Sequence, residues 1–113
     1  MKEIKAIIQP FMLQHVCDAL EKIEGLPGLT VSQVLGWGKT RGRGARDPVQ
    51  EAGHAFAKKT KVELVVTDEM AILVVAAIRN AANTGQAGDG KIFISVIEDA
   101  MKIRNGERGS GAL

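Results

Sequence analysis

The apolar residues of this chain run in an order that reads strand, helix, strand, and then strand, helix, strand again. A period of two marks the strands and a period near 3.6 marks the helices. Ile4, Ala6, Ile7 and Ile8 sit among charges, and Pro10 stops the run, which predicts a first strand over 3–9. Leu13, Val16, Leu20 and Ile23 recur at helical spacing with Ala19 beside them, opposite Asp18, Glu21 and Lys22. That spacing predicts a helix over 12–24, stopped by Gly25 and Pro27. Residues 29–37 alternate again, with Leu29, Val31, Gln33 and Leu35 against Thr30, Ser32 and Val34. Val62, Leu64, Val65 and Val66 give a buried strand over 61–67. Residues 69–83 read as a second helix with Ile72, Val75, Ala76 and Ile78 inward, started by Thr67 or Asp68 and followed by Gly85. The last strand, 91–97, sets Ile92, Ile94 and Val96 against Phe93, Ser95 and Ile97, and the tail from Arg104 is polar and glycine-rich.

Two strand–helix–strand units in succession pack most economically as an α+β, ferredoxin-like βαββαβ fold. Four antiparallel strands then carry both helices on one face. The other face is expected to be uncovered and apolar, which predicts self-association. The length of 113 residues suits one domain, 1–113. A net charge of +2 is too small to imply a polyanionic partner by itself. The single cysteine, Cys17, excludes an internal disulfide and a cysteine-based zinc site, and it suits a reducing cytoplasm. The first residues lack the apolar stretch of a secretion signal, and no run of residues is apolar over the length of a membrane span. A cytoplasmic location is expected.

Between the second and third strands, the segment from Gly36 to about Ala57 holds five glycines, Pro48 and several charges without apolar periodicity. A loop this long between strongly patterned flanks is expected to be functional. Three other stretches bear on chemistry. Thr84-Gly85-Gln86-Ala87-Gly88-Asp89-Gly90-Lys91 lets backbone N–H groups turn toward an anion, with Lys91 as a point charge. Asp89 cannot bind phosphate, but it can cap the turn or hold a lysine. Gly36-Trp37-Gly38-Lys39-Thr40 sets glycines beside a lysine at the loop mouth. Lys102 and Arg104, followed by Arg108, place cations at alternate positions of an extended segment, where an anion would relieve their repulsion. A glycine turn, a bulge and a solvated tail are the plain alternatives. Lys39, Arg41, Arg43 and Arg46 make the loop basic, without interleaved aromatics for base stacking. His15, Cys17 and His54 show no metal-ligand spacing, and no nucleophile has a patterned base.

Taken together, these stretches resemble the PII signal-transduction (nitrogen regulatory) proteins over essentially the whole chain. The match rests on Ile7-Ile8-Gln9-Pro10-Phe11, Gly36-Trp37-Gly38, the Thr84-to-Lys91 segment with Ile92-Phe93, and Ile103-Arg104-Asn105-Gly106-Glu107-Arg108-Gly109. The resemblance implies a cytoplasmic homotrimer that binds ATP or ADP, with AMP a further candidate, in clefts between subunits, and that is not an enzyme. By similarity, Gly38 and Lys39 approach the phosphates, and Gly88, Asp89, Gly90 and Lys91 cradle them. Arg104, and Lys102 where the family usually has arginine, reach in from the neighbour. Thr30, Glu63 and Val65 border the adenine, Ile8 packs nearby, and Gly36 lies near the ribose. The loop of about 38–57, the phosphate loop 84–91 and the C-terminal segment 102–113 are the working parts. The loop would engage a target enzyme, transporter or channel.

Departures from the family pattern narrow this. Ala52 stands where the family's uridylylated tyrosine lies, and the chain has no tyrosine. The loop also lacks serine. Thr40 replaces the glutamine that helps hold Mg²⁺ and 2-oxoglutarate, while Lys59 keeps the position of the 2-oxoglutarate-binding lysine. The resemblance therefore leaves Mg²⁺ and 2-oxoglutarate open, together with bicarbonate and the choice among nitrogen, carbon and metal pathways. The alternatives on the residues alone are a basic-loop nucleic-acid module and a slow ATPase. For the latter, Asp89 or Glu107 would have to serve as general base.

Overall fold

The computed structural model describes residues 1–38 and 48–113. Strand β1 (Lys2–Ile8) leads through a 3₁₀ turn (Pro10–Met12) into helix α1 (Leu13–Glu21). Strands β2 (Thr30–Gly36), β3 (Pro48–Glu51) and β4 (His54–Val66) follow, then helix α2 (Asp68–Ala82) and strand β5 (Gly90–Val96). The sheet order is β2-β4-β1-β5, every pairing is antiparallel, and β3 adds to the outer stretch of β4. This is the expected ferredoxin-like arrangement with one further strand.

Alternation builds the core. On β1, Ile4, Ala6 and Ile8 are buried, and on β4, Thr60, Val62, Leu64 and Val66 are buried. Val16 and Leu20 of α1 and Ala71, Val74, Ile78 and Ala82 of α2 close over them. Each fully buried Val, Leu or Ile contributes about 1.5–3 kcal/mol, so this small aliphatic layer carries most of the stability. Thr60 is buried with its hydroxyl satisfied, because it donates to Gln33 Oε1 on β2 at 3.1 Å. Thr67 starts α2 by accepting from the Met70 amide at 3.2 Å.

Three expectations need correction. The inward stripe of α2 is Ala71-Val74-Ile78-Ala82, with Val75 at its margin, whereas Ile72 and Ala76 face outward. Residues 70–78 are apolar all round, so periodicity could not choose a face. The open face of the sheet is not apolar. It carries Glu3 and Lys5 on β1, Lys59, Lys61 and Glu63 on β4, and Lys91 on β5, among Ile7, Val34, Val65 and Phe93. Lys5 lies opposite Glu63 in register, and Lys61 pairs with Glu63 at 3.1 Å. Apart from Phe93 on the open face, the exposed large apolar side chains of the strands lie at the two sheet edges on the helix side: Val31 and Leu35 on β2, Ile94 and Val96 on β5.

Finally, residues 48–57, read as irregular, form a hairpin of β3 with the start of β4. Ala52, at φ 50°, and Gly53 make its turn. Trp37 stacks on Phe56 with centroids 5.1 Å apart and meets His54 edge-on at 4.8 Å. This aromatic contact braces the hairpin root against the end of β2.

Candidate functional site

The antiparallel register sorts the candidate residues along the sheet. Gly36 and Gly38, Lys59, and Gly88 to Lys91 gather at the end where β1 finishes and β5 begins. Lys39 and Thr40 lie outside the described residues, as do Arg41, Arg43 and Arg46.

The 84–91 loop is built around its own carboxylate. Asp89 accepts from the amides of Thr84 at 2.7 Å and Gly85 at 3.0 Å and from the Thr84 hydroxyl. Asn83 and the Thr84 hydroxyl take further donors, from Gly85 at 3.0 Å and Gln86 at 3.3 Å. The bond from the Thr84 side chain, reinforced by the backbone amides, holds the Asp89 carboxyl below the usual carboxylate range. Asp89 therefore caps the turn, one of the two roles its sequence position suggested. It also occupies the first half of the loop as an internal anion, so an external anion would meet the second half. There, Ala87 and Gly88 donate their amides to no described acceptor.

Lys59 is a residue whose structural role the pattern did not reveal. It donates from Nζ to the Gly88 carbonyl at 2.9 Å, tying β4 to the loop. Partial burial lowers its ammonium pKa from the ordinary value, and Asp89 offsets this only in part. Lys91 leaves the loop exposed and without an ion pair among the described residues. A cavity of about 350 Å³ opens beside it, lined also by Arg79 of α2 and by Asn83 just past the end of that helix.

Thr30, Glu63 and Val65 form a second group farther along the open face, where Thr30 lies directly opposite Glu63. Thr30 is six residues from Gly36 on the same strand, about 20 Å at the usual rise. Ile8 adjoins the first group, pairing with Gly90 and lining the cavity beside Lys91, with its side chain 2% exposed in the core. Ile7 takes the open face instead, in register with Lys61 and Lys91. The signal was present, because Ile8 is in phase with Ile4 and Ala6 while Ile7 is not.

Lys102 and Arg104 form a third group. They do not lie on an extended segment. The chain turns tightly there, with Lys102 N donating to Glu107 O and Gly106 N to Lys102 O, each at 2.8 Å. Nor is the tail loose, since Asp99 binds Arg108 and the Gly109 amide. Lys102 Nζ pairs with Glu107 at 3.4 Å. This turn follows the far end of β5, and the seven residues of β5 put about 20 Å between it and the 84–91 loop.

An antiparallel ferredoxin-like domain with a carboxylate-braced glycine loop and a cationic C-terminal turn defines a class of small domain suited to anions. The family model "Nitrogen regulatory protein P-II" matches residues 1–107. Relatives named nitrogen regulatory protein P-II, from Rhizobium meliloti and Rhodospirillum rubrum, are 48% and 46% identical over the whole of both chains. The crystal structure of Arabidopsis thaliana PII bound to citrate is 37% identical with a TM-score of 0.79, covering 99% of this chain and 91% of that one. The chain belongs to the P-II family of nitrogen regulatory proteins. Its relatives are named as regulators rather than enzymes. Among the described residues, no helix is long and apolar enough to cross a membrane.

Proposed function

We propose that this chain is a cytoplasmic homotrimer that binds ATP or ADP in clefts between subunits and reports the bound nucleotide to a target protein through its 38–57 arm. The observation that carries the reading is the second half of the 84–91 loop. Among the described residues, the amides of Ala87 and Gly88 are free and Lys91 is unpaired, while Lys59 links the loop to the arm strand β4. Phosphate is the anion such a cradle suits.

The distribution of candidates along the sheet supports a shared cleft. Lys102 and Arg104 are a strand length away from the loop of their own chain, so they would meet its phosphates only from another copy. The apolar edges of β2 and β5 supply surface for that association. The Arabidopsis relative is described with citrate bound, a polyanion, which supports an anion site in this fold. Asp89 and Glu107 are engaged with Thr84 and Lys102, which favours a sensor over a slow ATPase.

A nucleotide would act by holding the Lys59–Gly88 junction, and with it the arm, in one of its states. It shifts the arm only by its difference in affinity between those states. Mg²⁺ and 2-oxoglutarate are second effectors to be tested with the nucleotide. Lys91→Ala should cost about 2–5 kcal/mol of ATP binding, since it removes a charge partner from a desolvated cleft. Calorimetry with unchanged ATP affinity in that variant would refute the assignment.

A further inference from the structure

We propose that Asp99 is a positioning residue: with Arg108 it closes a clasp that sets the turn carrying Lys102 and Arg104 for an anionic ligand on a neighbouring copy. The inference rests on the nucleotide reading above. One carboxylate ties both ends of the excursion. Its Oδ1 accepts from the amides of Ala100 at 2.8 Å and Gly109 at 3.1 Å, and its Oδ2 accepts from Arg108 Nε at 2.7 Å. Met101 and Arg108 bridge just inside this contact, and Gly109 N also donates to the Ala100 carbonyl at 3.0 Å.

What the clasp holds out is unusual for a terminal stitch. Ile103 at the tip is 100% exposed, and Arg104 beside it has no ion pair among the described residues. Lys102 is already neutralised by Glu107. A turn held this firmly presents Arg104 with its ordering completed before any ligand arrives. Ligand binding then loses less conformational entropy than it would with a free tail. Arg108 is thus assigned to the clasp and Arg104 to the ligand, a division that the run of basic residues does not reveal.

The test is calorimetry with ATP, ADP and AMP on the full chain, in the wild type, Asp99→Asn, Arg108→Gln and the double variant, each checked for oligomeric mass. The Asp99→Asn change keeps an acceptor for the two amides. ATP affinity should fall about tenfold in each single variant, and AMP affinity should stay within about twofold, because the positioned cations act on the outer phosphates. The double variant should be no weaker than either single, since the pair acts as a unit. ATP affinity within about twofold of wild type in both singles, equal losses for AMP and ATP, or additive losses would each overturn the clasp. A purely structural stitch would produce the second of these patterns. Wild type that ignores every adenine nucleotide overturns the nucleotide reading and the clasp together. Wild type that binds ATP beside unperturbed variants overturns the clasp alone. Should Asp99→Asn fail to fold, Arg108→Gln, which leaves Asp99 both backbone donors, decides the matter.

Discussion

Gly90 begins β5 at φ +104°, and a β-carbon there would collide with the Ile7 carbonyl oxygen. The obstacle is backbone, so neither a rotamer change nor a side-chain shift relieves it. Gly90→Ala should lose at least about 2 kcal/mol of stability, read from the urea midpoint at unchanged slope. Asp89 works by charge rather than by space. Like Asp68, which meets the N-terminal amine at 3.1 Å, and Asp99, which meets Arg108, it is held below the ordinary carboxylate range. A carboxylate so depressed stabilises the folded chain above its unfolded value, about 3.9. That stabilisation is lost as pH falls through the lower folded value. The urea midpoint should therefore fall below about pH 4, and Asp89→Asn should remove part of that acid limb. An acid limb identical in the variant would contradict the loop-capping role.

At the scale of elements, α2 shows how packing decides what pattern leaves open. Ile72 and Ile78 are both isoleucines of one apolar helix, yet one is 75% exposed and the other fully buried. Ile78→Ala should cost about 2–5 kcal/mol, and Ile72→Ala about 0.5 kcal/mol, by denaturant unfolding of both variants. An Ile72→Ala cost as large as that of Ile78→Ala would restore the inward Ile72 that the sequence suggested. The β3–β4 hairpin makes the same point for the arm. Its irregular-looking sequence pairs because the strand partner is supplied by β4, and Trp37 and Phe56 brace its root. Among the described residues, the bond from Lys59 to the Gly88 carbonyl joins β4 to the 84–91 loop.

At the scale of the molecule, the fold leaves apolar surface on both outer strands and distributes its candidate anion ligands over the two ends of one sheet. Association between copies, as proposed, would account for both features. Mass measurement in dilute solution should give three times the 12.1 kDa chain, with ATP narrowing the distribution. A monomer at all concentrations would remove the shared cleft. The sequence alone determined the order of strands and helices, the two-layer class, the glycine loop and the family, because these depend on local periodicity and on motifs that keep their spacing. It did not determine which face of α2 turns inward, that Ile7 rather than Ile8 faces outward beside Lys91, that the open face is charged, or that Arg108 serves Asp99 while Arg104 has no ion pair among the described residues. Those depend on register and on which distant group arrives opposite, and only the closed sheet with its two helices brings such groups together.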